Sequence, residues 1–146
     1  MQGMEIELQA LAEIAVAALL GGLLGIEREI SDKPAGFRTL MLVAAGSALF
    51  VQLGEAFMAQ YQTGIDPGRV IQAIVTGIAF LGAGTIIRRA EDEHVEGLTT
   101  AALILVAAGI GICSASSLYV LAIGMTVLTL IILVPFRWLV RKFLDH

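Results

Sequence analysis

Long apolar stretches separated by short charged segments set the pattern of this chain. A membrane-crossing helix needs about 20 predominantly apolar residues, and runs of that kind recur along the sequence. The first extends from about Leu8 to Ile26 and is interrupted only by Glu13. The second extends from about Thr39 to Ala59, with Glu55 near its far end, and the third from about Val70 to Ile87 with no charge. Gly97 to Phe136 is then uncharged for 40 residues, twice the length of one span. Its middle reads Cys113-Ser114-Ala115-Ser116-Ser117, a small polar turn, so the tract divides into helices at about Leu98–Ile112 and Leu118–Phe136. The pattern predicts an all-α polytopic membrane protein of about five transmembrane helices, a single transmembrane domain over 1–146. Because the fourth helix is the shortest, four spans and a re-entrant segment stand as the alternative.

Composition narrows the class. Hydrophobic residues are 58% of the chain and charged residues 15%, against about 25% charged in ordinary globular domains. One small soluble core could not bury that apolar surface. The leader before the first run carries Glu5 and Glu7 and no Lys or Arg, unlike a secretory signal, so the first run is read as a retained helix. A net charge of −4 without a basic patch argues against nucleic acid. The lone Cys113 forbids an intrachain disulfide or a cysteine zinc site. His94 and His146 lack partners for a triad or zinc. No catalytic constellation or cofactor motif is visible, and the expectation is a non-enzyme with no cofactor.

Orientation follows from Lys and Arg. With five spans and the N-terminus outside, Arg28, Lys33, Arg38, Arg88, Arg89, Arg137, Arg141 and Lys142 face the cytoplasm, and only Arg69 of the nine basic residues does not. A weak internal repeat accompanies this. Adding 61 maps Gly21 to Gly82, Arg28 to Arg89, Gly36 to Gly97 and Thr39 to Thr100, a 2+2 parallel pseudo-repeat followed by a fifth helix.

The candidate chemistry is sparse. Gly21 and Gly25 form a GxxxG step for close helix approach; Gly77, Gly82 and Gly84 form a denser one, and Gly97 opens the fourth helix. Inside an uncharged span, with no strand before it, the Gly77–Gly84 segment is not a phosphate loop. Glu27 and Arg28 are adjacent and do not face each other on a helix. Glu27 is instead expected to pair with Arg38, which sits with Thr39 in the first turn of helix two, where the dipole disfavours a cation. Arg38 with the free N–H groups there offers an anion site for the Glu27 carboxylate, a lipid phosphate or a partner's acid. Glu27, Arg28, Arg38 and Thr39 make an inner polar cluster. Glu13 is a candidate intramembrane acid, costly in a span and functional by default; it falls on a stripe with Ala17, Leu20, Leu24 and Glu27. Glu13 and Glu55 are the two carboxylates of the outer half. The acidic run Glu91-Asp92-Glu93 could hold a hard cation, although consecutive acids cannot all converge; the metal assignment stays open.

Four ordered stretches carry a family resemblance: Gly21–Glu29 (GGLLGIERE), Pro34–Gly46 (PAGFRTLMLVAAG), Gly77–Ile86 (GIAFLGAGTI) and Gly97–Ala102 (GLTTAA). The chain resembles the transmembrane domain of the MgtC/SapB family of bacterial inner-membrane proteins. The resemblance implies a small multi-pass protein linked to magnesium homeostasis, with some members acting on the rotary ATP synthase rather than moving magnesium. The sequence departs from the family at Leu40, often histidine there, and at Leu103-Ile104-Leu105, where an aromatic residue is frequent. The chain ends at His146, where the best-known members continue into a soluble domain. The expected function is a regulatory or accessory role, in the bilayer as a homodimer or small homo-oligomer; the alternative is a small homo-oligomeric ion transporter or channel.

Overall fold

In the computed structural model, which describes residues 2–62, 64, 66–88 and 95–144, the described residues form five helices. They are α1 (Gln2–Ile30), α2 (Phe37–Tyr61), α3 (Pro67–Thr85), α4 (Leu98–Ala115) and α5 (Tyr119–Leu144). The first four are each long and apolar enough to cross a membrane. A two-residue antiparallel pairing, β1 (Ile87–Arg88) with β2 (Val95–Glu96), joins α3 to α4. The acidic run 91–93, His94, Arg89 and His146 lie outside the described residues.

The helices overrun the apolar stretches because charge ends a membrane run without ending a helix. Glu and Gln are good helix formers, so α1 begins at Gln2 and ends at Ile30, and Glu13 lies three turns in rather than a turn and a half. Asp66 accepts from the Gly68 N–H at 2.9 Å with Pro67 in the first helical position, a pre-organised start for α3. The expected turn at Cys113 shifts C-terminally. Ser114 donates to the Ile110 carbonyl at 2.9 Å, which lets it stay helical inside a dry core. The chain then reverses at Ser116–Ser117, with Ser117 at φ 58.

Helix α4 is the centre. Nine of its residues are buried, from Thr100 to Ala115, against Ile74 and Gly82 alone in α3; α4 packs on each of the other four helices. The core is built of small side chains, among them Ala17, Ala44, Ala48, Ala107 and Ala108. In lipid there is no hydrophobic drive between helices, so close packing of small residues must hold them. A Cβ on Gly21 would lie 2.5 Å from the Leu40 carbonyl oxygen and 2.8 Å from the Ala44 Cβ. A Cβ on Gly111 would collide with the Ala44 carbonyl from the other side. Helix α2 is thus clamped at Ala44 between α1 and α4.

The 61-residue repeat has a structural counterpart. Phe37 plus 61 is Leu98, and these residues begin α2 and α4. Gly21 packs on Leu40 and Gly82 on Ala101, the same contact displaced by 61 positions. Gly25 lies against the Phe37 backbone and Gly97, at φ +92, against the Thr85 carbonyl; that conformation suits glycine alone. Gly77 and Gly84 have nothing within 4 Å of a would-be Cβ among the described residues.

Alanine at Gly21 or Gly111 should destabilise the bundle by about 1–3 kcal/mol through overpacking. Alanine at Gly77 or Gly84 should not lower the stability of the single bundle, as circular dichroism on denaturation of the dilute, monomeric protein in detergent would show.

Candidate functional site

Two buried polar assemblies occupy opposite ends of the bundle. At the end where α1 turns into α2, the side chain facing the core is Arg28, only 6% exposed. Its guanidinium donates to the Thr100 hydroxyl at 2.6 Å, joining α1 to the start of α4. The inward stripe on α1 is therefore Glu13, Ala17, Gly21, Leu24 and Arg28, all buried, rather than the stripe through Leu20 and Glu27. A helical register leaves either residue near that face; the close fit of Gly21 on α2 rotates the helix to favour Arg28.

The expected Glu27–Arg38 pair does not form. Glu27 accepts from the Ser31 hydroxyl one turn on, at 2.8 Å, while Arg38 and Thr39 are exposed on the outside of α2. The anion expected at the N-terminus of α2 is present, but it is Glu29, which accepts from the Phe37 N–H at 3.1 Å. The connecting turn, with Asp32 and Ala35 at φ 51 and 57, folds back tightly enough to bring the two together. Gly36 has no side chain to cap the helix, and a Cβ there would displace the Glu29 carboxylate. A neighbouring helix thereby supplies the anion that the dipole favours.

At the other end, Glu13 is 4% exposed and collects four donors. The Gln52 amide of α2 donates to Oε2; Gln9 of α1, Ser117 of the α4–α5 turn and the Tyr119 hydroxyl of α5 each lie 3.3 Å from Oε1. Gln52 also donates to the Ala115 carbonyl at 3.0 Å. Each neighbour offers a donor, which a carboxylate acceptor requires. Beside this cluster lies a cavity of about 280 Å³ lined by Gln9, Glu13, Gln52, Glu55, Ser116 and Ser117, among others. Both acids singled out in the sequence thus line one space. Gln9, Gln52, Ser117 and Tyr119 were not expected; an amide at Gln52 amid the apolar residues of α2 was the one available signal.

Between the two ends the seam is tightly packed and mostly apolar, with Ala17, Leu24, Leu40, Ala44, Ile104 and Ala107 buried along it and the buried Ser47 hydroxyl donating to the Val43 carbonyl of its own helix. Among the described residues no group of three or more His, Cys, Asp or Glu is placed to hold a metal ion.

Comparison with known proteins matches the MgtC family model over residues 14–142. The chain is 38% identical over 136 residues to "Putative magnesium transporter YhiD" of Escherichia coli, covering 90% of this chain and 62% of the relative. It is 35% identical to protein SapB of Bacillus subtilis, over 90% of this chain and 58% of the relative. It is 41% identical to protein MgtC of Salmonella typhimurium, over 80% of this chain and 48% of the relative. The chain thus spans about half to three-fifths of the length of these relatives. No solved structure matches it.

A double-mutant cycle on Arg28→Met and Thr100→Val, followed by unfolding in detergent, should give a coupling of about 0.5–3 kcal/mol. The cycle on Glu27→Gln and Arg38→Gln should be additive within about 0.5 kcal/mol.

Proposed function

The chain belongs to the MgtC family, and from that premise we propose that it is a regulatory or accessory membrane protein of magnesium homeostasis, non-enzymatic, in a bacterial inner membrane. The observation that carries the accessory reading over the transport one is the tight packing of the seam between the two ends. Glu13 and Arg28 are separated by interlocked small residues where Gly21 and Gly111 meet Ala44. The name given to YhiD favours a magnesium connection; a transporting role is the competing reading. In this proposal the N-terminus faces outside and the C-terminus the cytoplasm, following the Lys and Arg distribution.

Action through protein contacts needs a free surface. Helix α3 offers it, with Gly77 and Gly84 open and Phe80 exposed on its outer side. A second copy packs there to form a homodimer or small homo-oligomer, and another inner-membrane complex such as the ATP synthase is the proposed target.

Liposomes containing the purified protein should show no magnesium or proton flux above protein-free vesicles; a saturable magnesium flux would replace this reading with transport. Native mass spectrometry should show an oligomer that Gly77→Leu reduces to a folded monomer. A wild-type chain that is monomeric at every concentration would remove the self-association.

A further inference from the structure

The hydrogen bonds around Glu13 share one direction. Its buried carboxylate accepts from Gln52 at Oε2 and from Gln9, Ser117 and Tyr119 at Oε1, so each of these neighbours turns a hydrogen toward it. The donors come from α2, α1, the α4–α5 turn and α5, and one acid thereby fastens four segments. Gln52 is not free to turn away, because its amide nitrogen also donates to the Ala115 carbonyl. The titratable groups facing Glu13 are Glu55 of α2, on the wall of the adjoining cavity, and the Tyr119 phenol of α5. Helix α1, the end of α4 and the turn present neutral polar or apolar groups on that wall, among them Gln9, Ala115, Ser116 and Ser117.

A proton taken up by Glu13 upsets this arrangement. A carboxylate only accepts, whereas its acid form carries an O–H that needs an acceptor of its own. One neighbour must then turn from donor to acceptor, and the remaining bonds lose the charge that makes such bonds the strong ones. Ala115 holds Gln52 in place, so the loss falls at Oε1, on the 3.3 Å contacts from Gln9, Ser117 and Tyr119. Gln9 belongs to α1 itself, and losing it separates nothing. Ser117 and Tyr119 join α5 and the turn before it to α1. Elsewhere on the described part of α5 the buried hydroxyls, Thr126 and Thr129, donate to carbonyls of α5 itself. The cavity of about 280 Å³ has room for about nine waters at about 30 Å³ each. Protons reach Glu13 through that water, which also takes over the bonds that the acid gives up.

We propose that Glu13 is a proton-operated clasp: ionised, it holds the start of α5 against α1 and α2; protonated, it releases Ser117 and Tyr119 and this end of the bundle opens. The clasp is closed above the titration of Glu13 and opens as pH falls through it. The proposal goes beyond the accessory role and does not rest on it. Flux through the protein would leave the clasp standing, and a chain without the clasp could still act through a partner.

Spin labels at Leu11→Cys on α1 and Val120→Cys on α5, both exposed positions, test it on the full chain in lipid nanodiscs with Cys113→Ser as background. Pulsed electron paramagnetic resonance should show the label separation lengthen reversibly between about pH 8 and about pH 4, a range that spans ordinary carboxylate titration. Glu13→Gln, which stands in for the protonated acid, should hold the longer separation throughout. Glu55→Gln, on the exposed rim, should leave the response intact. A separation that does not change with pH overturns the proposal, as does a response that survives Glu13→Gln or is abolished by Glu55→Gln. Should Glu13→Gln not fold, Ser117→Ala combined with Tyr119→Phe reads the same joint. That double variant should show the longer separation at both ends of the range, and a response persisting in it overturns the proposal.

Discussion

The fold depends on the fit of α2 into the space between α1 and α4 at Ala44. Glycines meet Ala44 from both sides, so three backbones approach more closely than larger side chains would permit. In water such a contact would add to a hydrophobic core; in lipid, where the solvent is as apolar as the side chains, it is the main source of cohesion. Each feature of the two ends follows from it. The rotation it imposes on α1 turns Glu13 and Arg28 inward together, one toward α2 and α5, the other toward α4.

Those inward charges explain how a short bundle tolerates ionisable groups at membrane depth. Arg28 meets a hydroxyl on α4 and Glu13 a set of neutral donors on α1, α2, the α4–α5 turn and α5. Each connects segments far apart in sequence, so the polar groups lock the register of helices that small apolar contacts alone would let slide. The transport and accessory readings diverge over what lies between these ends, and the interlocked seam there favours the second.

Helix number, the central division near residues 113–117 and the 61-residue offset were legible in the sequence, because spans of one solvent have one length and the glycine steps recur. The polar ties were not. Choosing Arg28 over Glu27 needs the rotation of α1, which adjacent residues cannot report. Choosing Glu29 over Glu27 as the cap of α2 needs the path of the turn through Asp32 and Ala35. Glu13 was visible as a costly acid, but its partners on α2, the α4–α5 turn and α5 come from sequence separations of 39 to 106 residues. Gly77 and Gly84 read as packing glycines by spacing, yet among the described residues they pack on nothing within the chain, since spacing does not reveal which face of α3 turns to α4.

The central position of α4 has a consequence for biosynthesis. Ribosomal synthesis delivers helices in order, and α1 and α2 can join through Gly21, Gly25 and the Glu29 cap as soon as both are in the bilayer. Arg28 then has no Thr100 until 39 residues beyond Tyr61, the end of α2, have been made, and Glu13 no Ser117 or Tyr119 until 56 and 58 have been made. The half-built protein must shelter two ionisable groups against lipid or the insertion machinery during that interval, and arrival of α4 and the turn after it releases them together. Membrane assembly of this chain is therefore a late, concerted closure around its fourth helix.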